Sequence, residues 1–451
     1  MSAWLQSLRR EIGVCLTLGV PLIGSQIAQL MLGVTDTIVL GWYSVEDLAA
    51  LVLASGFQFT FLIFGAGFAF AVAPLVSAAQ DDVQTMRRVT RMSNWLVVLY
   101  SIAIYPVMFF SEQVFLVLGQ DPEISARAQE YLRITGAAMG VMLIFYVLRS
   151  YLSARERVRE ILILSLVGVV LNVIFDVVFV FGLGPIPAMG VQGAAITTAV
   201  ISILGMGLLA IIAAKIFPED QLFVRMWRPD FEIMRKLVRL GVPIGFTALF
   251  EVGLFSAASI FVGWFGVQAL AAHGIVMQLA SIAFMLHLGL SQAVTIRIGK
   301  AYGRQDREMI ALSTWAAVVL SICFAILTVA VFVTVPEALC RIFLDQTNPA
   351  AGAILTMSVS LLMIAAAFQF ADGLQAILLG VLRGAQDTFW PMVCAFSSYW
   401  GMGLGVAYYL GAVLDWQAQG VWIGLTVGLA AAAVTLGVRF IYVVRSMKPA
   451  A

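Results

Sequence analysis

Four acidic residues stand inside long apolar segments of the sequence: Asp36, Asp176, Glu251 and Asp372. At the middle of a bilayer each one costs on the order of 3 kcal/mol on insertion scales. Every Lys and Arg falls in a loop or near the end of such a segment, so these acids have no internal base to pair with. A buried carboxylate of this kind either takes up a proton or binds a cation. The pattern therefore indicates ion-coupled transport.

Amide side chains accompany two of the acids. Asn172 and Asp176 are four residues apart and share one face of a helix. An amide oxygen beside a carboxylate suits a hard cation such as Na⁺, and it equally suits a protonated, hydrogen-bonded acid. Gln369, Asp372 and Gln375 also lie within one helical face. These two groups are the candidate sites for a coupling ion or a cationic substrate.

Two histidines and several aromatic residues have more ordinary interpretations. His273 and His287 fall in one apolar segment, where a packed and hydrogen-bonded histidine is more common than a proton relay. Phe368 could line a cavity for a flat organic cation, although most aromatic residues in a helix bundle only pack or face lipid. We treat Gln369, Gln375, Phe368 and His273 as secondary candidates.

Composition defines the elements that must position these residues. Of 451 residues, 62% are hydrophobic and 11% are charged, whereas about 25% of a soluble domain is charged. Such a chain cannot cover a soluble surface, which excludes a soluble enzyme, a disordered chain and a nucleic-acid-binding protein. Its four cysteines lie far apart without C-x-x-C spacing and indicate neither a disulfide framework nor a metal site. We expect an all-α polytopic membrane protein.

Apolar runs bounded by polar turns predict twelve transmembrane helices. Only Arg127, Arg133 and Arg341, of the 26 Lys and Arg residues, fall in the loops on one side. Positive charge is retained in the cytoplasm, so the other loops and both termini are expected there. The predicted spans are residues 14–41, 48–79, 92–111, 130–153, 161–182, 190–214, 237–263, 268–297, 311–335, 353–382, 389–412 and 419–444.

The two halves of the sequence repeat. Leu18–Pro21 (LGVP) recurs as Leu240–Pro243, and the same offset of 222 residues relates Gly41-Trp42 to Gly263-Trp264. Six spans separate the copies, so both halves have the same orientation and a pseudo-two-fold axis along the membrane normal relates them. We predict two six-helix bundles joined by a polar linker. Their boundaries are residues 1–215, 216–236 (the cytoplasmic linker) and 237–451.

The acids do not follow the repeat. Asp36 corresponds to Ala258, and Glu251 corresponds to Gln29. Any one buried acid can be a structural residue that is protonated and hydrogen-bonded to a neighbouring helix. A requirement of the fold itself tends to recur in both copies, so the asymmetry favours a functional role for the set.

Over essentially the whole chain, these features resemble the multidrug and toxic compound extrusion (MATE) family, and in particular its bacterial NorM-type branch. The first span carries LGVP followed after fourteen residues by DTIVLG, and the seventh span echoes it between Leu240 and Gly263. The most specific pieces are Val34–Thr37, Leu171–Asp176, Phe250–Val252 and Phe370–Gln375.

The resemblance implies roles for the acids. Asp36 matches the family's span-one carboxylate, implicated in proton or cation coupling, and Asn172 and Asp176 match its span-five partners. Glu251 and Asp372 match a C-terminal cation site at which a NorM relative uses a Glu and an Asp for Na⁺. Sodium is thus expected either at Glu251 and Asp372 or at Asp36, Asn172 and Asp176. NorM proteins often have Tyr one helical turn before the span-ten Asp, where this sequence has Phe368, which removes an oxygen from a sodium site there.

The expected function is that of a secondary antiporter in a bacterial inner membrane, exporting amphipathic cationic drugs or dyes in exchange for Na⁺ or H⁺. No cofactor other than the coupling ion is expected, and the chain is expected to be a monomer in membrane lipid. A lipid-precursor flippase of a related fold is the alternative, but it would need a cationic cavity for a pyrophosphate. An intramembrane enzyme, with Asp36 and Asp372 as a catalytic pair, lacks support because no phosphate-binding loop, H-E-x-x-H or G-x-S-x-G motif is present.

Overall fold

The computed structural model describes residues 2–345 and 349–447, and every regular element within them is helical. Eleven of these helical segments are long and apolar enough to cross a membrane. The predicted fold class, an all-α polytopic membrane protein, is therefore confirmed.

The described residues form eight α-helices before the long polar linker and eight after it. Those before the linker are α1 (Ser2–Tyr43), α2 (Val45–Phe70), α3 (Val72–Ala79), α4 (Val83–Phe109), α5 (Ser111–Val117), α6 (Pro122–Ala154), α7 (Val158–Phe181) and α8 (Val191–Ile216). Those after it are α9 (Phe231–Gly263), α10 (Val267–Gly303), α11 (Arg307–Thr334), α12 (Pro336–Arg341), α13 (Ala351–Gly384), α14 (Phe389–Phe396), α15 (Leu404–Tyr408) and α16 (Gln417–Ser446).

Polar caps fix where several of these helices begin. The side chains of four residues accept hydrogen bonds from the free N–H groups of the first turn, which is the usual role of Ser and Asp at an N-cap. They are Ser44 before α2, Asp82 before α4, Asp121 before α6 and Asp306 before α11. The polar turns that separated the apolar runs in the sequence are therefore helix starts.

The predicted span at 389–412 differs from the other eleven. It is helical throughout, but π-helical turns at Ser397–Gly403 and Tyr409–Val413 interrupt the α-helical hydrogen bonding on either side of α15. It is therefore a chain of short segments rather than one long α-helix, and it is absent from the eleven candidate spans.

A stripe of glycines on α16 packs against this interrupted segment. Gly420, Gly424 and Gly428 are four residues apart, so they share one face of α16. A Cβ atom on Gly420 would lie 2.6 Å from the backbone N of Gly411, and one on Gly428 would lie 2.7 Å from Cα of Gly403. Small residues at this spacing let two backbones approach closely. Any larger residue on this stripe would push the two elements apart.

The described residues divide into two compact units. We call Gly24–Gly245 the N unit, and Met1–Ile23 together with Phe246–Ala451 the C unit. Helices α1 and α9 each contribute one part to each unit. The bundle boundaries predicted from the sequence concern six-span halves, and they stay a prediction.

The first part of α1 packs firmly within the C unit. Cys15 is fully buried in a cluster with Leu290 and Ile377. Arg297 donates two hydrogen bonds to the carboxylate of Glu11, at 2.7 and 2.9 Å. Apolar burial and a bidentate ion pair therefore hold the start of α1 in this unit.

The internal repeat of the sequence reappears as a repeated contact. On α10, a Cβ atom at Gly289 would lie 2.5 Å from the backbone N of Ile23 on α1. On α2, a Cβ atom at Gly67 would lie 2.7 Å from the backbone N of Gly245 on α9. The offset of 222 residues that relates the LGVP motifs also relates these two pairs. In each unit, a helix from one half of the chain therefore packs against the first helix of the other half.

Candidate functional site

The four acids lie in four different helices, and each is wholly or partly buried. Asp36 of α1 is 8% exposed, Asp176 of α7 is 0% exposed and Asp372 of α13 is 2% exposed. Glu251 of α9 is half-buried. Within residues 2–345 and 349–447, no Lys, Arg or His forms an ion pair with any of them. The sequence prediction that these carboxylates have no basic partner is therefore consistent with the structure.

The N unit brings together Asp36, Asn172 and Asp176, which we call the N cluster. The Asn172 amide Nδ2 donates a hydrogen bond of 3.0 Å to Oδ1 of Asp36. The carboxyl groups of Asp36 and Asp176 lie close enough to interact. Two carboxyl groups can bond to each other only when one of them carries a proton, because two carboxylates have no donor between them. The N cluster therefore places two acids where they could share a proton.

Several oxygens of the N cluster have no donor among the described residues. They are both carboxyl oxygens of Asp176 and the amide oxygen of Asn172, and the hydroxyl of Thr197 lies close enough to Asp176 to interact with it. Buried polar atoms normally have a hydrogen-bonding partner, so each exception needs an explanation. A proton on Asp176, or a small hard cation held by these oxygens, would satisfy them.

The C unit brings together Glu251, Asp372 and Gln375, with a hydroxyl from Tyr399; we call these four the C cluster. The Gln375 amide Nε2 donates to Oε1 of Glu251 at 3.0 Å and lies 3.5 Å from Oδ1 of Asp372. The Tyr399 hydroxyl donates to Oε1 of Gln375 at 2.7 Å. Both Gln375 and Tyr399 are fully buried. One amide therefore bridges the two acids and is itself oriented by a phenol.

Tyr399 is one of several aromatic residues within the apolar segments of the sequence. The structure places it in the π-helical turn Ser397–Gly403, a type of turn that is frequent at functional sites. Phe368 has no side-chain oxygen to offer a sodium site at its position. The Tyr399 hydroxyl instead brings a phenol oxygen to the C cluster from another segment. Phe368 itself packs in the core against Phe255 and Trp422, with ring centroids 6.2 and 5.6 Å away.

Gln369 lies on α13 close to the C cluster, but it is not bonded to it. Its side chain is fully buried, and neither its amide nitrogen nor its amide oxygen has a partner among the described residues. A buried amide that is left unpaired costs about 1–3 kcal/mol for each lost partner. The Gln369 amide could therefore form hydrogen bonds with a ligand that enters this region.

The two histidines occupy different surroundings. Nε1 of Trp422 donates to Nδ1 of His273 at 3.1 Å, and Nε2 of His273 lies 3.0 Å from Oγ of Ser259. Both ring nitrogens of His273 are therefore used, as in an ordinary packed histidine. His287 bonds Ser321 through Nδ1 at 3.0 Å, but its buried Nε2 has no partner within the described chain. A Cβ atom on Gly373, next to Asp372, would lie 2.6 Å from the His287 ring, so this histidine borders the C cluster.

Two arginines are buried within helices, Arg91 of α4 and Arg149 of α6. Arg149 is 4% exposed and lies five residues before the end of α6 at Ala154. It donates to Oγ of Ser25 at 2.8 Å and to Oε1 of Gln26. Neutral oxygens on α1 therefore accept the hydrogen bonds of this guanidinium, and it forms no ion pair with either acid cluster.

Outside the membrane spans, Asp230 of the linker has a perturbed pKa. The Arg88 guanidinium donates to Asp230 at 2.5 Å, and this hydrogen bond holds the pKa of the Asp230 carboxyl below its usual range. Asp230 also caps α9 by accepting from the backbone N of Ile233 at 3.2 Å. A neighbouring cation therefore neutralises this acid, whereas the acids of the two clusters form no ion pair within the part of the chain that the structure describes.

The chemistry available at the two clusters is cation or proton binding. Neither is a metal site of three or more His, Cys, Asp or Glu side chains, and none occurs elsewhere in residues 2–345 and 349–447. Each cluster combines two carboxyl groups with an amide, and the assignment of Na⁺ to either one stays a prediction. The sequence missed Tyr399 and Thr197 as members, although both are polar residues within apolar runs.

Comparisons with known proteins identify the family. The MatE family model matches residues 21–178 and 243–409. The chain is 43% identical to the "Probable multidrug resistance protein NorM" of Rhizobium meliloti (strain 1021) over 96% of this chain and 94% of that one. It is 42% identical to the protein of the same name from Agrobacterium fabrum, over 96% and 95% of the two chains.

Solved structures show the same fold. One is described as the outward-facing conformation of a multidrug resistance MATE family transporter of the MOP superfamily; it superposes with a TM-score of 0.87 at 20% identity over 98% of both chains. A MOP superfamily transporter from Pyrococcus furiosus gives a TM-score of 0.86 at 20% identity, again over 98% of both chains. Since the family model matches more than half of the chain, and a relative is 43% identical over 96% of it, this chain belongs to the MatE family.

Proposed function

We propose that this protein is a secondary active antiporter that exports amphipathic organic cations in exchange for H⁺ or Na⁺ by alternating access. As a MatE-family member whose relatives are named multidrug resistance proteins, the chain is a multidrug efflux transporter and not an enzyme. The proposal adds the exchange reaction, the class of substrate and the side chains that carry the coupling ion. It also places the chain in a bacterial inner membrane with both termini in the cytoplasm.

The observation that carries the proposal is the close approach of the Asp36 and Asp176 carboxyl groups, which form no ion pair within the described residues. Like charges this close inside an apolar bundle cannot both ionise without a large cost, so the pair favours binding one proton. When the proton leaves, the two carboxylates repel, while Asn172 still donates to Asp36. The protonated and deprotonated pairs therefore favour different packing of α1 against α7.

A proline inside α1 could convert such a change in packing into a bend of this long helix. Pro21 lies inside α1, where it removes a backbone hydrogen bond and weakens the helix. It precedes the N unit by only two residues, and Asp36 lies on the part of α1 beyond it. A change at Asp36 is therefore expected to alter the bend of α1 at Pro21.

The C cluster supports a second binding role. Glu251 and Asp372 are separated by the Gln375 amide and carry no paired base. Two carboxylates with a neutral bridge attract either Na⁺ or the positive group of an organic cation. We assign this cluster to cation binding, and competition there between ion and drug would drive exchange.

The flippase alternative gains no support from the two clusters. A lipid pyrophosphate needs basic side chains in its cavity, and both clusters are acidic. Arg149, which is buried in α6, is engaged by Ser25 and Gln26.

Proteoliposomes test the proposal directly. Purified protein would be reconstituted, loaded with ethidium, and given an inward proton gradient or an inward sodium gradient imposed separately. Export driven by at least one gradient, and abolished when that gradient is collapsed, is the expected result. Equal ethidium movement with no ion gradient would contradict antiport. Labelling of a cysteine introduced at residue 10 from the cytoplasmic side alone would test the orientation.

A further inference from the structure

Five arginines surround one cavity at the start of α4 and in the linker before α9. The cavity measures about 330 Å³, which is within the range of small-ligand sites. All of its lining residues belong to the N unit. Its charged members are Arg87, Arg88, Arg91, Arg225, Arg228 and Asp230.

The positive charge of this arginine cavity is largely uncompensated. Asp230 is the one acid among the lining residues, and it pairs with Arg88. Arg87 is held by the carbonyl oxygen of Asp220 at 2.8 Å, which orients the guanidinium without neutralising it. Arg225 and Arg228 are exposed, and neither forms an ion pair with an acid in the described chain. Such a cavity attracts a multivalent anion.

A buried guanidinium with a spare donor faces this cavity. Arg91 is only 6% exposed. One of its donors reaches the carbonyl oxygen of Arg225 at 3.3 Å, but its Nε–H has no partner among the described residues. A buried, unpaired donor on a charged group is expensive. An anion oxygen in the cavity would satisfy it, and guanidinium groups recognise phosphate oxygens especially well.

The surroundings of the cavity favour a ligand that belongs to the membrane. Exposed aromatic side chains flank it in the linker and on the adjoining helices: Trp227 is 77% exposed, Phe231 is 75% exposed and Phe223 is 42% exposed. Trp95 is 36% exposed, and its Nε1 donates to the carbonyl oxygen of Met226 at 2.8 Å. Aromatic residues at the ends of membrane helices lie at the level of the lipid headgroups.

We propose that this cavity binds the phosphate-bearing headgroup of an anionic phospholipid, with Arg91 as its buried anchor and Arg225 and Arg228 as its outer contacts. Basic pockets at the ends of membrane helices are suited to such headgroups, and each basic residue near the surface contributes about 1 kcal/mol of attraction, a factor of about five. The site is independent of the acid clusters and of the coupling ion.

Lipid titration of the detergent-purified, full-length protein followed by native mass spectrometry tests this proposal. Phosphatidylglycerol is expected to bind about tenfold more tightly than phosphatidylcholine. The double variant Arg225→Gln with Arg228→Gln changes only exposed side chains, and it is expected to weaken phosphatidylglycerol binding tenfold or more. The matched control removes two exposed arginines elsewhere, Arg159→Gln with Arg304→Gln, and is expected to bind within twofold of the wild type.

Three results would overturn the proposal. They are equal binding of the two lipids, unchanged binding by the Arg225 and Arg228 variant, and an equal loss in the control pair. A further arm uses inorganic phosphate at millimolar concentration. If phosphate binds with the same dependence on Arg225 and Arg228 while phosphatidylglycerol does not bind, the ligand is a free anion and the lipid assignment is wrong.

Discussion

The N cluster and the C cluster each contain two carboxyl groups, yet they arrange them differently. In the N cluster, Asp36 and Asp176 are direct neighbours, and the single amide of Asn172 donates to one of them. In the C cluster, the Gln375 amide stands between the acids, and a phenol holds that amide in place. The close approach of two carboxyl groups favours a shared proton, whereas an amide bridge keeps two negative groups apart and leaves them available to a larger cation. This difference supports the proposed division of roles, with proton exchange mainly at the N cluster and cation binding at the C cluster.

The largest effect is expected from Asp36→Asn. Asparagine keeps the shape and can still accept from Asn172, but it cannot exchange a proton. Ethidium export driven by a proton gradient in proteoliposomes should therefore fall to the level of empty vesicles. Asp372→Asn should leave proton-driven export measurable and raise the KM for ethidium.

The matched control for these carboxamide variants is Asp415→Asn. Asp415 is exposed and has a φ of 56°, a conformation that Asn tolerates well, so its export rate should equal that of the wild type. Full proton-driven export by the Asp36 variant would remove the distinction between the clusters.

The next effect concerns the stability of the C cluster. Gln375→Met keeps the length of the side chain but leaves the buried Tyr399 hydroxyl and both acids without their amide partner. Each lost partner costs about 1–3 kcal/mol, so the thermal unfolding midpoint in detergent should drop clearly. Gln369→Met is the matched comparison on the same helix, since the Gln369 amide has no partner to lose within the described residues. Its midpoint should stay level or rise, and a similar drop in both variants would show that Gln375 is not a specific bridge.

A smaller effect is expected from Tyr399→Phe. The change removes one hydrogen bond to Gln375 and keeps the ring, at a cost of about 1 kcal/mol. Because Gln375 is then free to rotate, we expect a raised KM for ethidium with an unchanged maximal rate. The measurement is the concentration dependence of export. A changed maximal rate with an unaltered KM would mean that the phenol takes part in ion exchange instead.

The smallest effect is expected from Asp230→Asn. Unlike the acids of the two clusters, Asp230 forms an ion pair, and its partner is Arg88. Its pKa is lowered because Arg88 donates to it, so its contribution to stability is present above about pH 4 and is lost as the pH falls through the lowered pKa. Asparagine preserves the cap on α9 and removes the charge, which should cost less than about 1 kcal/mol at pH 7. Unfolding midpoints of the wild type and the variant should differ at pH 7 and converge as the pH falls below the lowered pKa of Asp230. A difference that does not shrink as the pH falls would point to the cap rather than the ion pair.

The sequence predicted the acids well because a carboxylate in an apolar run is costly and therefore conspicuous. It also predicted the partnership of Asn172 with the N cluster and of Gln375 with the C cluster, since helical spacing alone places them on one face. Tyr399 could not be singled out, because a π-helical turn has no clear sequence signal and a tyrosine is common in a membrane bundle. Arg149 was assigned to a helix end, because hydropathy does not report the hydroxyl and amide on α1 that accept its hydrogen bonds.

The LGVP motifs revealed the internal repeat in the sequence. They did not reveal which helices the repeated segments pack against. Local matches show that two segments are alike, and they carry no information about which helices the segments pack against. The pairing of Gly67 with Gly245, and of Ile23 with Gly289, needs contacts across more than 170 residues of chain.

The passage of α1 and α9 through both units bears on how this protein can be divided. The chain joins the two units only at 23–24 and at 245–246, and both joins lie inside continuous helices, two residues after a proline. A cut in the polar linker therefore severs neither join. A gene fragment that ends at the linker encodes an N unit without Phe231–Gly245, while its own first helix begins with a segment that belongs to the C unit. Each half of the chain contributes part of its first helix to the unit that the other half mostly forms, as protomers do in a domain-swapped dimer. Each unit is therefore complete only when both halves are present.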